Sequence, residues 1–317
     1  MKVEMTHPEI SANSSNFISV VIPTSEYETN RRNISELILK AGSINADVVL
    51  VLDSCGVDDF EDAKNLAESL NVKVKVVSTN SRNPGGARNS GLQLCRSQWI
   101  VFWDSDDDPV QTALLEMINA AEENSCSIAI GGYREIIVGS PFDLYKHGKS
   151  SEKLNVNNWQ FEVGVSPGLW RFAFKSESLK GIDFPDLRMG EDQVFLQRVF
   201  HDIQNIYFSS ETVYQYRIGS ASQLTYGNKN LNELTSAITL GNKELRYVDR
   251  EYRRLARIML IRQCITLLVF CKCTGRQYLR YSIYLLGYLL RDVPTSIRMA
   301  IRISGDAFKN HLRGKNV

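Results

Sequence analysis

Short apolar runs alternate with amphipathic segments along the first 131 residues. Five runs rich in β-branched and aromatic residues predict strands, at 17–22, 48–52, 72–77, 99–103 and 127–131. Four segments between them have the spacing or turn chemistry of helices, at 35–41, 60–70, 86–95 and 109–124. The strands read as continuous apolar runs, which is typical of strands buried on both faces. The pattern therefore predicts an α/β fold with a single mixed, mostly parallel sheet flanked by helices.

Polar residues follow four of the predicted strands, where ligands bind in open α/β sheets. These candidates are Pro23-Thr24, Asp53-Ser54, the segment 78–80 and the segment 104–106. The sequence therefore predicts a binding site along one edge of the sheet, formed by residues that are far apart in the chain.

The strongest local signal is a cluster of four aspartates at 104 and 106–108, with no Lys or Arg within five residues on either side. Clustered carboxylates repel one another unless a cation joins them. Residues two apart in an extended chain point the same way, so Asp104 and Asp106 favour a shared Mg²⁺ or Mn²⁺. The alternative is a solvated turn. Asp108, which precedes Pro109, is predicted to cap the next helix, and Asp107 receives no assignment.

Charge is distributed unevenly along the chain, although its 317 residues carry a net charge of only +1. Residues 243–317 contain 16 Lys and Arg but 5 Asp and Glu, so the acidic excess lies in the rest of the chain. Residues 1–16 lack the apolar segment of a signal peptide, and the longest uncharged apolar runs are too short to cross a bilayer. With six scattered cysteines read as reduced thiols, these features predict a cytoplasmic protein.

Four segments resemble, in order, those of family-two glycosyltransferases, which have the glycosyltransferase-A fold. The segments are 19–24 (SVVIPT), 85–92 (GGARNSGL), 104–107 (DSDD) and 190–193 (GEDQ). Their order and spacing are more specific than any one of them, and the match covers about residues 17–223. The resemblance implies a Rossmann-like domain with a C-terminal helical extension. We expect a flexible tail at 1–16, a catalytic domain at 17–225 with nucleotide-binding and acceptor halves at 17–131 and 132–225, and a basic helical region at 226–317.

The resemblance also implies roles for individual residues. The nucleotide sugar would be bound by Pro23, Thr24, Asp53, Arg88 and Asp104. Asp106 would bind Mn²⁺ or Mg²⁺, and Asp192 would be the catalytic base. Apart from the resemblance, Trp170 and Glu191 are candidates for contact with the acceptor. The segment at 213–220 lacks the histidine that many members use as a metal ligand, so fewer protein ligands are expected.

Each assignment has a structural alternative. Arg88, in the first turn of a helix after Gly85 and Gly86, suits a diphosphate, but a Gly-rich turn with a surface arginine has the same sequence. Glu191 and Asp192 open a helix and could simply interact with its dipole. Trp170 could stack on a sugar or belong to the core.

The basic C-terminal region contains an apolar stripe that only Arg262 interrupts: Leu255, Ile258, Met259, Arg262, Ile265 and Leu268. A basic amphipathic helix of this kind predicts a peripheral contact with an anionic membrane, at the inner face of the cell membrane. The alternatives are packing on the catalytic domain or on a second copy, which would give a homo-oligomer.

The function implied by the resemblance is that of an inverting glycosyltransferase of the hexosyltransferase class, with a UDP-sugar favoured as donor. Its acceptor would be a glycan, or a lipid-linked glycan in polysaccharide biosynthesis. The alternatives are a sugar nucleotidyltransferase and a non-catalytic protein of the same fold. No RNA- or DNA-binding motif is found in the sequence, so no nucleic-acid partner is predicted.

Overall fold

The computed structural model describes residues 17–137, 159–201, 203, 205–218, 231–270 and 275–291. The predicted tail at 1–16 lies outside these residues, as does the end of the basic region beyond 291.

The strands predicted from the apolar runs are present with small shifts at their ends. The described strands are β1 (Ile18–Thr24), β2 (Asp47–Asp53), β3 (Val74–Thr79), β4 (Trp99–Phe102), β5 (Asp108–Pro109), β6 (Ile128–Ile137), β7 (Phe172–Lys175) and β8 (Ile206–Ile218). They form one sheet in the order β3-β2-β1-β4-β7-β6-β8-β5. The first four strands run parallel, β7 is antiparallel to both β4 and β6, and β6 and β8 pair in parallel.

Helices cover both faces of this sheet. The described helices are α1 (Tyr27–Ser43), α2 (Val57–Ser69), α3 (Pro84–Leu92), α4 (Gln111–Glu123), α5 (Trp159–Val165), α6 (Glu191–Val199), α7 (Leu231–Glu244), α8 (Arg253–Phe270) and α9 (Gly275–Leu290). Short 3₁₀ turns lie at Leu169–Arg171 and Ser176–Leu179. The predicted α/β fold with a mixed sheet and a C-terminal helical extension is confirmed.

Alternate residues of the central strands belong to two different cores. Val48, Leu50 and Leu52 pack with α1, α2 and α4, whereas Val49 and Val51 pack on the opposite face with α3, α6 and α8. Successive side chains of a strand point to opposite faces, so an apolar run without polar interruptions is what a sheet covered on both sides requires. The two cores fix the sheet between its helices and bring the strand ends to one edge.

The C-terminal helices form a third core, and part of α8 also belongs to the second one. Leu255, Ile258 and Met259 are buried, so this section of the stripe predicted to lie on a membrane packs inside the protein. Helix α8 contacts α5, α7 and α9. Packing within the protein was the alternative to membrane contact for this stripe. None of the helices that the structure describes is both long and apolar enough to span a membrane.

The prediction that Asp108 caps the following helix is wrong. Helix α4 begins three residues later, at Gln111, and its N-cap is Val110. Asp108 instead belongs to the short strand β5, which pairs with β8, and its carboxylate forms an ion pair with Lys40 of α1.

Candidate active site

A cavity of about 760 Å³ lies beyond the carboxyl ends of the parallel strands. All nine residues predicted for the site line it: Pro23, Thr24, Asp53, Arg88, Asp104, Asp106, Trp170, Glu191 and Asp192. Pro23, Thr24, Asp53, Asp104 and Asp106 lie at or just after the ends of β1, β2 and β4, so they meet at one edge of the sheet, as their position after buried runs predicts. Arg88 comes from α3, and Trp170, Glu191 and Asp192 come from segments that follow β6 in the chain.

The turn after β4 is held by residues from two other elements. Asn33 of α1 donates from Nδ2 to the carbonyl oxygens of Ser105 and Asp107, at 2.8 and 2.9 Å. The backbone N–H of Asp104 donates to the Tyr214 hydroxyl at 3.0 Å. These contacts fix the backbone that carries Asp104 and Asp106, whose side chains remain partly exposed on the cavity wall.

Asp107 differs from its neighbours because it is buried behind this turn. Its side chain accepts a hydrogen bond at Oδ1 from the backbone N–H of Arg217, and its Oδ2 atom has no hydrogen-bond partner. Burial, together with the charges of Asp104 and Asp106, raises the pKa of Asp107 to about 9. The cavity therefore faces two of the clustered carboxylates, Asp104 and Asp106, whereas Asp107 faces the interior.

Arg88 joins the turn after β4 to helix α6. Its Nη2 atom lies 2.9 Å from Asp104 Oδ1, and its Nη1 atom lies 2.7 Å from Glu191 Oε1. The guanidinium is buried, and its Nε atom has no hydrogen-bond partner. Arg88 thus carries its charge between two carboxylates at the cavity wall and is not a surface arginine.

Gly85 and Gly86, which precede Arg88 in the chain, do not line the cavity. A Cβ at Gly85 would lie 2.4 Å from the Pro185 carbonyl oxygen, so this glycine permits close loop packing.

Asp53 holds the loop between β3 and α3. Its Oδ1 atom accepts hydrogen bonds from the backbone N–H groups of Ser81 and Arg82, at 2.8 and 3.1 Å. Arg82 and Asn83 of this loop line the cavity together with Pro23 and Thr24. Asn83 then caps α3 by accepting from the Gly86 N–H.

Helix α6 begins at the cavity and presents its first residues to it. Gly190 has the left-handed φ of 77°, and a Cβ there would lie 2.7 Å from Gln263 Nε2, so the turn into the helix requires glycine. The next residues, Glu191 and Asp192, line the cavity. Burial raises the pKa of Asp192, while the charges of Arg88 and Arg262 oppose that shift. Burial likewise raises the pKa of Glu191, despite its ion pair with Arg88.

Trp170 belongs to an aromatic cluster. Its ring stacks on Tyr214, with centroids 4.6 Å apart, and on Tyr216, with centroids 5.6 Å apart. The side chain is only 7% exposed, yet it still lines the cavity. The structure therefore gives Trp170 a core position at the cavity wall.

Several residues of the cavity were not assigned a site role from the sequence. Arg262, Gln263 and Thr266 of α8 line it together with Leu234 of α7. The signal was Arg262 itself, which interrupts the apolar stripe of α8. Without the fold, nothing in the chain indicated that this interruption faces Asp192.

The carboxylates of the cavity suit a divalent ion that substrate also ligates. Among the described residues, no group of three or more His, Cys, Asp or Glu side chains could hold a metal on its own. Asp104 and Asp106 supply oxygen donors at the cavity wall. Mg²⁺ commonly uses one or two carboxylates and completes its shell with water and phosphate oxygens, so the donor set fits Mg²⁺ or Mn²⁺.

A family model and several curated relatives all indicate the same protein family. The model of the family described as Glycosyl transferase family 2 matches residues 19–177. The poly(ribitol-phosphate) beta-glucosyltransferase of Bacillus spizizenii is 27% identical over 208 residues, which is 63% of this chain and 32% of that protein. TarP of Staphylococcus aureus, a poly(ribitol-phosphate) beta-N-acetylglucosaminyltransferase, is 23% identical over 243 residues, 75% of this chain and 72% of its own length. The chain spans about a third of the length of the first curated relatives it matches.

Solved structures support the fold. The crystal structure of S. aureus TarS 1–349 in complex with UDP-GlcNAc has a TM-score of 0.63 at 17% identity, covering 93% of this chain and 92% of that one. A mannosyltransferase from Pyrobaculum calidifontis, in complex with GDP-Man and Mn²⁺, has a TM-score of 0.57 at 14% identity, covering 93% of this chain and 81% of that one. The predicted glycosyltransferase-A fold is therefore confirmed.

Proposed function

Because the chain belongs to glycosyl transferase family 2, we propose that it is an inverting glycosyltransferase. It moves a sugar from a nucleotide-diphosphate sugar to an acceptor hydroxyl. The observation that carries this proposal is that Asp104, Asp106 and Asp192 line one cavity. Carboxylates for a metal-bound diphosphate and a carboxylate for the acceptor proton are the groups that such a reaction needs.

The donor would lie across the carboxyl ends of β1, β2 and β4. Pro23, Thr24 and Asp53 would contact the nucleotide, and Asp104 its ribose. A UDP-sugar is the favoured donor, because the TarS structures were solved with UDP and with UDP-GlcNAc. Two exposed arginines that line the cavity, Arg82 and Arg188, are available to diphosphate oxygens.

Asp106, with Asp104 beside it, would hold Mn²⁺ or Mg²⁺ against the donor diphosphate. The ion would neutralise the negative charge that grows on the leaving diphosphate. Asn33 and Tyr214 hold the backbone of these carboxylates, so little reorganisation is needed when substrate binds.

Asp192 would act as the base. An acceptor hydroxyl is a weak nucleophile until its proton is removed. Its oxygen would attack the anomeric carbon as Asp192 takes the proton and the bond to the diphosphate breaks on the opposite face, which inverts the anomeric centre. Burial raises the pKa of Asp192, which makes its carboxylate a stronger base than an exposed aspartate. Glu191 and Trp170 would contact the acceptor.

The acceptor would be a glycan or polyol polymer of the cell surface, free or lipid-linked. The support is that relatives act on poly(ribitol-phosphate), as their names state.

The proposal is tested by incubating the purified chain with UDP-glucose, UDP-GlcNAc and GDP-mannose in the presence of Mn²⁺. Slow release of nucleoside diphosphate from one donor is expected, and Asp106→Ala should lower it at least about a hundredfold. Asp183→Ala, an exposed aspartate outside the cavity, is the matched control. Undiminished release by Asp106→Ala would contradict the proposal. Pyrophosphate release from a nucleoside triphosphate would indicate the nucleotidyltransferase alternative, and donor binding without turnover would indicate a non-catalytic protein.

We also propose that α9 contacts an anionic membrane at the cytoplasmic face. One side of α9 carries four exposed apolar residues at helical spacing: Leu279, Ile283, Leu286 and Leu290. The helix contains Arg276 and Arg280 but no acidic residue, so its charge complements an anionic surface. A double variant that combines Ile283→Asp and Leu286→Asp is the test. The fraction of this variant that sediments with phosphatidylglycerol vesicles should be several-fold lower than that of the wild-type chain. Equal sedimentation of this double variant, or formation of dimers that it abolishes, would contradict membrane contact.

A further inference from the structure

The face of α8 that reaches the cavity carries a cation, Arg262, that forms no ion pair with any described residue. Arg262, Gln263 and Thr266 line the cavity from this helix. Arg262 is exposed and makes no ion pair or hydrogen bond with a described residue, although its charge acts on Asp192. Arg88 is the opposite case, because its guanidinium is buried between two carboxylates. Of these two arginines, Arg262 is the one whose guanidinium remains open to a ligand.

Gln263 supplies a second, independent observation. Its side chain is only 3% exposed, lines the cavity and has an Nε2 atom with no hydrogen-bond partner. Gly190, the residue before Glu191, packs directly against this amide. A buried polar donor without a partner costs free energy, so such a group at a cavity wall points to a ligand that completes it.

Arg262 and Gln263 both line the cavity, and a guanidinium together with an unpaired amide donor is suited to an anion with several oxygen atoms. Arginine binds phosphate through paired, charge-assisted hydrogen bonds, and a neighbouring N–H adds a third. We propose that Arg262 and Gln263 form an acceptor subsite that binds a phosphate group of the acceptor, so that a hydroxyl of the same molecule meets Asp192. This inference rests on the proposed function and names the acceptor class as a phosphate-bearing polyol or glycan. The other source of phosphate at this position is the donor diphosphate.

The experiment measures binding of ribitol 5-phosphate and of ribitol by calorimetry, with Mg²⁺ and saturating UDP present. UDP occupies the donor site, so phosphate binding that persists belongs to the acceptor side. The wild-type chain should bind ribitol 5-phosphate at least about tenfold more tightly than ribitol. Arg262→Gln should remove that preference, and Arg262→Lys should keep part of it. Arg246→Gln, an exposed arginine outside the cavity, should leave it unchanged.

Gln263→Met separates a ligand-binding role from a structural one. Methionine has a similar volume and removes the unpaired amide, so the melting temperature should stay the same or rise while ribitol 5-phosphate binds several-fold more weakly. The proposal would be overturned if the wild-type chain bound the two probes equally or bound neither. It would also be overturned if the preference for ribitol 5-phosphate disappeared only when UDP was added. If the wild-type chain hydrolyses no donor, the proposed function fails instead.

Discussion

The two sides of the cavity are constructed differently. The proposed donor side, formed by Pro23, Thr24, Asp53, Asp104 and Asp106, follows the ends of neighbouring parallel strands. The proposed acceptor side, formed by Trp170, Glu191, Asp192, Arg262 and Gln263, combines a 3₁₀ turn with the beginning of α6 and the middle of α8. Each donor-side residue is thus positioned by a strand, whereas the acceptor side depends on how helices pack over that sheet edge.

One ion-pair network connects the two sides. Arg88 contacts Asp104 on the donor side and Glu191 on the acceptor side, and Arg88 and Glu191 are 103 positions apart in the chain. The proposed donor side can therefore be recognised from local sequence, whereas its connection to the proposed acceptor side is a product of tertiary packing. Variants on each side should therefore alter different measured quantities.

The largest effect is expected for Asp192→Asn. Removing the base should lower kcat by about 10²–10⁴-fold while the KM for donor changes by less than about twofold. Steady-state kinetics with the active donor measures both constants. Asp183→Asn, an exposed aspartate outside the cavity, is the control. If the KM for donor rose as much as kcat fell, Asp192 would also contribute to donor binding, and the two sides of the cavity would not have separate roles.

Arg88→Ala should lower the free energy of unfolding by about 3–5 kcal/mol, because two carboxylates lose their buried counter-ion. The side chains of Arg88 and Glu191 are each 9% exposed. Urea denaturation measures the loss. Arg31→Ala breaks an ion pair with Asp62 whose side chains are 49% and 43% exposed, and it should cost less than about 1 kcal/mol. Similar losses in the two variants would show that Arg88 does not hold the sides together.

Asn33→Ala tests whether the backbone support of the donor side matters. Without its hydrogen bonds to the Ser105 and Asp107 carbonyls, the turn carrying Asp106 should loosen, and the affinity for Mn²⁺ in the presence of UDP should fall by about 10–100-fold. Calorimetry gives the affinity, and Asn65→Ala on the exposed side of α2 is the control. Unchanged Mn²⁺ affinity would argue that the strand end alone fixes the carboxylates.

The smallest effect concerns pH. Burial raises the pKa of Asp192, and Asp104 adds to the shift, whereas Arg88 and Arg262 oppose it. The base must be ionised, so kcat should fall as the pH decreases through this pKa, beginning at a higher pH than for an ordinary aspartate. Arg262→Gln removes an opposing cation and should move the acid limb of the profile to still higher pH. A shift to lower pH, or an equal shift in Arg246→Gln, would contradict this account.

Much of the fold could be predicted from local sequence, and all nine residues named from the sequence and its family resemblance line one cavity. The apolar runs gave the strands because a sheet covered on both faces needs apolar side chains on both. Asp104 and Asp106 were identified because they follow a buried strand directly. Within the same cluster, however, Asp107 received no assignment and Asp108 was wrongly predicted to cap a helix. The hydrogen bond of Asp107 with Arg217 and the ion pair of Asp108 with Lys40 join residues far apart in the chain.

The sequence by itself determined the alternation of strands and helices up to residue 131, the edge at which the site lies and the aspartates Asp104 and Asp106 that line it. Those features follow from side-chain alternation and from residues adjacent in the chain. Only the tertiary structure decided that Arg88 is buried between Asp104 and Glu191, that Trp170 stacks in an aromatic cluster, and that α8 brings Arg262 to Asp192. Those contacts join residues far apart in sequence, so they exist only once the helices have packed against the sheet.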